Sequence, residues 1–209
     1  MVSHCATPSK REVVVNRLKS ITNLTVDIFG GCGDQEHRLP PETSVGVDAT
    51  LEARVDLYIN TLKNFKFYLS FENSLCQDYI TEKFFLAVNA GILPVVYGGL
   101  SKANYEEAAP PNSYINVEDF KSIEDLNDFL VHLANNQTAY TSYFWWKEDY
   151  KVETIRESHF RAFCDMCQLL NDYHEGIADE DKHWTTLYRD FQNYWNPQGI
   201  CRQPDDKYL

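Results

Sequence analysis

Positive charge is scarce in this chain of 209 residues, where 19 Lys and Arg stand against 31 Asp and Glu for a formal net charge of −12. Nucleic-acid binders take their affinity for the phosphate backbone from clustered Lys and Arg, so that class is disfavoured and no nucleic-acid partner is expected. An anionic ligand would have to be met in a local pocket. Long apolar runs are missing as well: no stretch approaches the roughly 18 to 20 apolar residues that cross a bilayer. Met1-Val2-Ser3-His4-Cys5 does not read as a signal peptide. The sequence is therefore expected to carry neither an anchor nor a secretion signal of its own. There is no G-x-S-x-G elbow, and the six histidines fall in unrelated contexts, which leaves serine-hydrolase chemistry without support. No D-x-D or similar carboxylate pair sits at a strand end, so a metal-bridged nucleotide site and a divalent cofactor are not indicated. Internal repeats and low-complexity tracts are absent too.

What is present is best organised from Phe65 to Gly99. Phe65, Phe67, Leu69 and Phe71 alternate with Lys66, Tyr68 and Ser70, which is the period of a strand, and the run stops at Glu72-Asn73-Ser74. Phe84, Ala87, Val88 and Gly91 then fall at helical spacing, with Thr81 or Asp78 as N-cap and Gly91 as the residue that ends the helix. Ile92 to Tyr97 is a buried strand ending at Gly98-Gly99, and Pro94 is tolerable near its start. This is one β-α-β unit with parallel strands. The loops after its strands share one sheet edge, where ligands bind beside helix N-termini. Lys83 stands in the first turn of the helix, where the helix dipole disfavours a cation unless an anion lies alongside.

Read from its start, Val2-Ser3-His4-Cys5 ends a strand and Thr7-Pro8-Ser9 begins a helix with Thr7 as N-cap, placing Arg11 in another first turn. Leu24 to Phe29 is the next strand and Gly30-Gly31-Cys32-Gly33 a turn; residues 34–50 are loop, and Leu51, Val55, Tyr58 and Leu62 mark a helix. Further on come a short strand over Tyr114 to Val117 and a helix capped by Ser122 and Asp125 with Leu126, Phe129, Leu130 and Leu133 on one face. Helices follow around Phe144-Trp145-Trp146, around Phe160, Phe163, Cys167 and Leu170, and around Trp184 to Trp195, before a loose tail from Asn196. The alternation predicts an α/β fold with a doubly wound parallel sheet.

Of six cysteines, Cys5, Cys32 and Cys76 each follow a predicted strand on the same edge, so two of them could pair, without the sequence choosing which. Cys164 and Cys167 form a C-x-x-C inside a helix, for which disulfide anchoring fits better than zinc or redox chemistry. Free thiols are the alternative. Asn23 and Asn136 head sequons, which with the cysteines suits a lumenal or secreted setting.

Phe71-Glu72-Asn73-Ser74, Tyr79-Ile80-Thr81-Glu82-Lys83 and the Pro94-Val95-Val96 strand with Gly98 resemble the signature of the α1,3/α1,4-fucosyltransferases, glycosyltransferase family 10. The resemblance runs over about residues 2 to 175, including Val2-Ser3-His4-Cys5 and the helical C-x-x-C. It implies the Rossmann-like C-terminal domain of a GT-B enzyme, with a GDP-fucose-binding domain at 1–175 and a C-terminal helix and tail at 176–209. By position, Arg11 and Lys83 become diphosphate ligands, Asn73 and Tyr79 line the donor site, and Glu82 faces the fucose as the catalytic carboxylate. A metal-independent site of this kind neutralises the diphosphate with cations and backbone amides. The implied reaction is inverting α1,3 transfer of L-fucose from GDP-fucose to GlcNAc of a glycoprotein glycan, at the lumenal face of the Golgi membrane. Family members add an N-terminal acceptor domain, taken to supply the base, and a signal anchor. Neither is recognised in these residues, so the chain is expected to be inactive by itself. The alternatives are a non-catalytic nucleotide-sugar or glycan-binding module and an α/β adaptor without affinity for GDP.

Overall fold

A computed structural model describes residues 5–29, 32–33, 51–99, 102–153, 155–175 and 199–209. Its elements are α1 (Arg11–Ile21), α2 (Leu51–Leu62), β1 (Phe67–Phe71), β2 (Leu75–Cys76), α3 (Glu82–Ala90), β3 (Leu93–Tyr97), α4 (Lys102–Ala108), β4 (Ile115–Asn116), α5 (Ile123–Asn135), α6 (Gln137–Thr141), α7 (Ile155–His174) and β5 (Cys201–Arg202). Short 3-10 turns cover Val117–Asp119, Ser142–Glu148 and Asp206–Tyr208. The chain forms two compact units, one of Met1–Lys151 with Cys201–Leu209 and one of Val152–Ile200.

In the first unit, β1, β3 and β4 form a parallel sheet in the order β1-β3-β4, with Phe67 opposite Leu93, Phe71 opposite Tyr97 and Val95 opposite Ile115. The predicted β-α-β unit is therefore present. Its period-2 pattern sends alternate side chains to opposite faces. Phe71, Val95 and Tyr97 pack with Val14, Val15 and Leu18 of α1 and with Leu126, Leu130 and Leu133 of α5. Val96 packs on the other face with Phe84 of α3 and with Tyr105. Helices thus cover both faces, as a doubly wound α/β domain requires.

Local signals hold where they were strongest. Thr81 is the N-cap of α3, and Gly91 ends that helix at φ 72°, donating its N–H to Ala87 and Val88 carbonyls. Ser122 Oγ accepts the Asp125 N–H at 3.2 Å to start α5. Elsewhere the structure differs. Helix α1 begins at Arg11, not Pro8, because Thr7 to Lys10 closes a turn (Lys10 N–H to Thr7 O, 2.9 Å) and Lys10 sits in the left-handed region. Leu24 to Phe29 joins no sheet among the described residues. Its Leu24, Val26 and Ile28 still pack against the core, so the alternation reported burial without reporting pairing. Phe144 to Glu148 is 3-10 in place of a longer helix; Trp146 is buried, whereas Trp145 is exposed and donates to the Pro111 carbonyl at 3.0 Å.

The end of the chain is not a loose tail. Strand β5 pairs antiparallel with β2, Cys76 is joined to Cys201, and Tyr208 is buried with its hydroxyl donating to the Phe120 carbonyl at 2.9 Å. Cys76, expected to compete with Cys5 and Cys32, thus has a partner sequence reading had not considered, and Cys5 is joined to Cys32. The anchoring expected of Cys164 and Cys167 is not there: both are free and exposed on α7. Residues three apart on a helix hold their Cβ atoms about 5–6 Å apart, too far for a disulfide without distortion, and the other four cysteines are joined to each other. Gly30-Gly31, Met1 to His4, the 34–50 loop and the helix around Trp184 to Trp195 lie outside the described residues. No described helix is long and apolar enough to cross a membrane.

The Cys76–Cys201 bond closes a separation of 125 residues, and removing a native disulfide typically costs about 2–5 kcal/mol. Cys201→Ser is expected to lower the unfolding free energy by about that amount, with β2 and β5 amides losing protection first. Denaturant titration with amide exchange measures both.

Candidate functional site

The C-terminal ends of β1 and β3, the start of α1 and the start of α3 meet at one sheet edge. Backbone pairing continues one step past the strand, with the Glu72 N–H donating to Tyr97 O at 2.9 Å. The segment before α1 is laced to the same place: Arg11 NH1 donates to Phe71 O at 2.8 Å, Ser9 Oγ to Glu72 O at 2.6 Å and the Ser9 N–H to Asn73 O at 3.0 Å. Three consecutive carbonyls at the end of β1 are thereby held by α1's leading turn. Arg11 is 2% exposed, so its charge is fixed in the interior by this lacing.

Glu72 is the centre of the edge. It is 1% exposed, and a buried carboxylate needs compensation for the water it has lost. Thr81 supplies part: its N–H lies 2.8 Å from Oε1 and its hydroxyl 2.8 Å from both carboxylate oxygens. Lys83 Nζ supplies the rest at 3.0 Å from Oε2. The negative charge lies over the N-terminus of α3, where the helix dipole favours it. Lys83 therefore already has an anion beside it. The backbone at Lys83 is tethered as well, its carbonyl accepting from the buried Ser70 hydroxyl at 3.2 Å. Room for Glu72 comes from Gly98, where a Cβ would stand 2.6 Å from Glu72 Cγ. Burial pushes the Tyr105 phenol up from its ordinary pKa and the nearby Glu72 carboxylate pushes it further, so it stays protonated.

Lys83 Nζ also touches Thr81 Oγ1 at 2.7 Å and Glu82 Oε1 at 3.0 Å. Its three N–H donors thus face three oxygens. Glu82 differs from Glu72 in being 57% exposed. Partial burial works against its ionisation, but the hydrogen bond and charge of Lys83, with help from Thr81 and the helix backbone, outweigh that and hold its carboxyl below the usual range. Asn73 Oδ1 is buried and finds no hydrogen-bond partner among the described residues, and a buried oxygen of this kind takes a donor from water or from a ligand. Tyr79 is half-buried just ahead of α3, its N–H donating to Cys76 O at 3.3 Å.

All five residues expected in the donor site, Arg11, Asn73, Tyr79, Glu82 and Lys83, lie on segments that bound this edge. Ser9, Glu72 and Gly98 were not in that set. Glu72 and Gly98 were expected at this edge as the residues that end their strands, and nothing local in the sequence reveals that Glu72 reaches Thr81 and Lys83. Of the sequons, Asn23 is exposed, while Asn136 is half-buried and its Oδ1 caps α6 by accepting the Ala139 N–H at 3.0 Å. The described residues contain no group of three His, Cys, Asp or Glu arranged to hold a metal ion.

Residues 1–188 match the model described as glycosyltransferase family 10 (fucosyltransferase) C-term. The chain belongs to this family. It is 37% identical over 195 residues to alpha-(1,3)-fucosyltransferase C of Drosophila melanogaster, covering 93% of this chain and 39% of that protein. Against alpha-(1,3)-fucosyltransferase fut-1 of Caenorhabditis elegans it is 39% identical over 175 residues, covering 80% and 36%. The chain thus spans well under half the length of these curated relatives. A crystal structure of an α1,3-fucosyltransferase matches with TM-score 0.52 at 23% identity over 69% of this chain and 35% of that one. Another, with GDP, matches with TM-score 0.51 at 19% identity over 95% and 46%. At such identity the likeness establishes the fold.

Because the lowered pKa of Glu82 depends on Lys83, its carboxylate is the ionised form across neutral pH. The stability it contributes is present above the ordinary carboxylate range and is lost as pH falls through its lowered value. In Lys83→Ala the Glu82 carboxyl is expected to titrate at higher pH than in the parent chain, as carbon-detected NMR titration of Glu82 reads directly.

Proposed function

We propose that this family 10 domain is the donor-binding half of an inverting α1,3-fucosyltransferase, holding GDP-fucose at the edge where α1 and α3 start. The observation that carries the reading is the meeting of Lys83 and the ionised, exposed Glu82 at the start of α3, on the sheet edge where Asn73 follows the buried Glu72, within a chain that matches the family model over residues 1–188. Helix N-termini at the carboxyl ends of parallel strands suit a diphosphate. Lys83 would meet the diphosphate oxygens, Arg11 would do so only by turning from the Phe71 carbonyl that holds it in the interior, Asn73 and Tyr79 would line the rest of the donor, and Glu82 would lie toward the fucose ring. A fixed carboxylate near the anomeric carbon stabilises the positive charge that develops there as GDP leaves. The cations supply the charge neutralisation that a divalent ion would otherwise give, so the reaction we propose uses no metal cofactor.

The acceptor is a GlcNAc of a glycoprotein glycan, held and deprotonated by residues outside this domain. The two disulfides and the sequons suit an oxidising lumen, and we place the full enzyme at the lumenal side of the Golgi membrane.

If Arg11 and Lys83 clamp the diphosphate, each changed to Ala is expected to weaken GDP binding by about 1.5–3 kcal/mol, the scale of a charge-assisted hydrogen bond. Isothermal calorimetry on variants shown by their melts to be folded tests this, and unchanged affinity in both would remove the proposed clamp. Residues 1–209 by themselves are expected to melt at a higher temperature with GDP and to give at most slow hydrolysis of GDP-fucose. General-base assistance, which we assign elsewhere, is worth roughly 10²–10⁴ in rate. Transfer of labelled fucose to N-acetyllactosamine at the rate of a full-length relative would mean that the base lies in this domain.

A further inference from the structure

Lys83 has two carboxylate partners that differ in what it costs to leave them. Glu72 is 1% exposed and lies 3.0 Å away; Glu82 is 57% exposed and also 3.0 Å away. Breaking a buried pair strands a charge without water, whereas an exposed pair is screened and weak. With three oxygens already on its three donors, Lys83 can reach a fourth only by giving one up. Burial decides which.

We propose that Glu72 is the positioning residue of the donor site: it keeps Lys83 anchored over the start of α3, so that a diphosphate is received by exchange of the Glu82 contact alone, and that exchange frees the Glu82 carboxylate for the sugar. The proposal rests on the functional reading above and adds a residue that touches no ligand. Several features fix Glu72 for this task. Thr81 binds it through both N–H and hydroxyl, Gly98 leaves space against its Cβ and Cγ, and its own backbone is held by Tyr97 and Ser9. Thr81 is shared between carboxylate and ammonium, so it registers the two against each other. The same arrangement makes Glu82 an internal competitor of the ligand in the resting state. Diphosphate binding and release of Glu82 are then one event, with the ring-facing carboxylate set free only when a donor is in place.

The experiment is a set of GDP titrations by calorimetry on the 209-residue chain and its Glu72→Gln, Lys83→Ala, Glu82→Gln and Glu72→Gln/Lys83→Ala variants, each with a thermal melt. Glu72→Gln and Lys83→Ala are each expected to weaken GDP binding at least about tenfold, and the double variant no further than the weaker of the two, because both remove one device. Glu82→Gln is expected to bind GDP at least as tightly as the parent. A merely structural Glu72 would lower the melt and give losses that multiply in the double variant, which overturns the proposal. So does a Glu72→Gln chain that binds GDP like the parent, or a Glu82→Gln chain that binds tenfold worse. Should Glu72→Gln not fold, Glu82→Gln and Glu82→Gln/Lys83→Ala decide: affinity at or above the parent's that is lost with Lys83 supports the exchange, and affinity tenfold below the parent's, or affinity that does not need Lys83, refutes it. A parent chain that binds no GDP overturns the functional reading and this one together, whereas a GDP-binding parent with these variants unaffected overturns only this one.

Discussion

A single buried carboxylate sets the geometry of the sheet edge. Glu72 stands where β1 ends and α3 begins, and an ionised group at 1% exposure persists only if its surroundings are built to hold it. They are: the first N–H of the α3 cap, a threonine hydroxyl and a lysine ammonium converge on it, and a glycine on the neighbouring strand leaves it room. The backbone of the same loop is held from the other side by Ser9 and Arg11. The two helices that flank the edge are therefore registered to the sheet through side-chain contacts to one loop, and their starts cannot move independently of it.

Much of this was legible in the sequence where the cause is local. Alternation from Phe67 to Phe71, helical spacing through Phe84 and Val88, the threonine that caps α3 and the glycine that ends it are all decided within a few residues, and the β-α-β unit follows. The reading failed where the cause is distant. Cys76 meets a cysteine 125 residues later, and the terminal segment, polar and Pro-containing, is ordered by that bond, by β2 and by burial of Tyr208. Arg11 and Lys83 were expected as cations in first helical turns, where an anion alongside would offset the helix dipole, and the sequence did not show that the protein itself supplies the oxygens. The Phe71 carbonyl and the Glu72 carboxylate, neither predictable from helix chemistry, are already beside them.

Periodicity also says which residues share a face and not what lies against it. Leu24, Val26 and Ile28 alternate as a strand would and are packed as a strand's inner face would be, yet the segment makes no ladder among the described residues. On α7 the same kind of signal gave a helix correctly, while Phe160, Phe163 and Leu170 on it are exposed and the C-x-x-C is unbridged. Apolar spacing was evidence for the helix. It was not evidence for burial.

The chain's charge bears on how such a site can hold an anion at all. A protein of net charge −12 repels a diphosphate at long range, and salt screens that repulsion over about 10 Å. Inside that distance the contacts at α3 govern. A lysine flanked by two carboxylates gives a site that is not strongly positive at rest, so it offers little to stray anions. It becomes a binding site when the exposed carboxylate withdraws and the buried one stays, because only then does a partly compensated ammonium face the incoming oxygens while the helix start and Thr81 remain fixed. Selectivity then lies in the ligand's ability to use the freed Glu82 and the unpartnered Asn73 oxygen as well as the cation, and a bare phosphate brings no sugar or nucleoside hydroxyls to engage them.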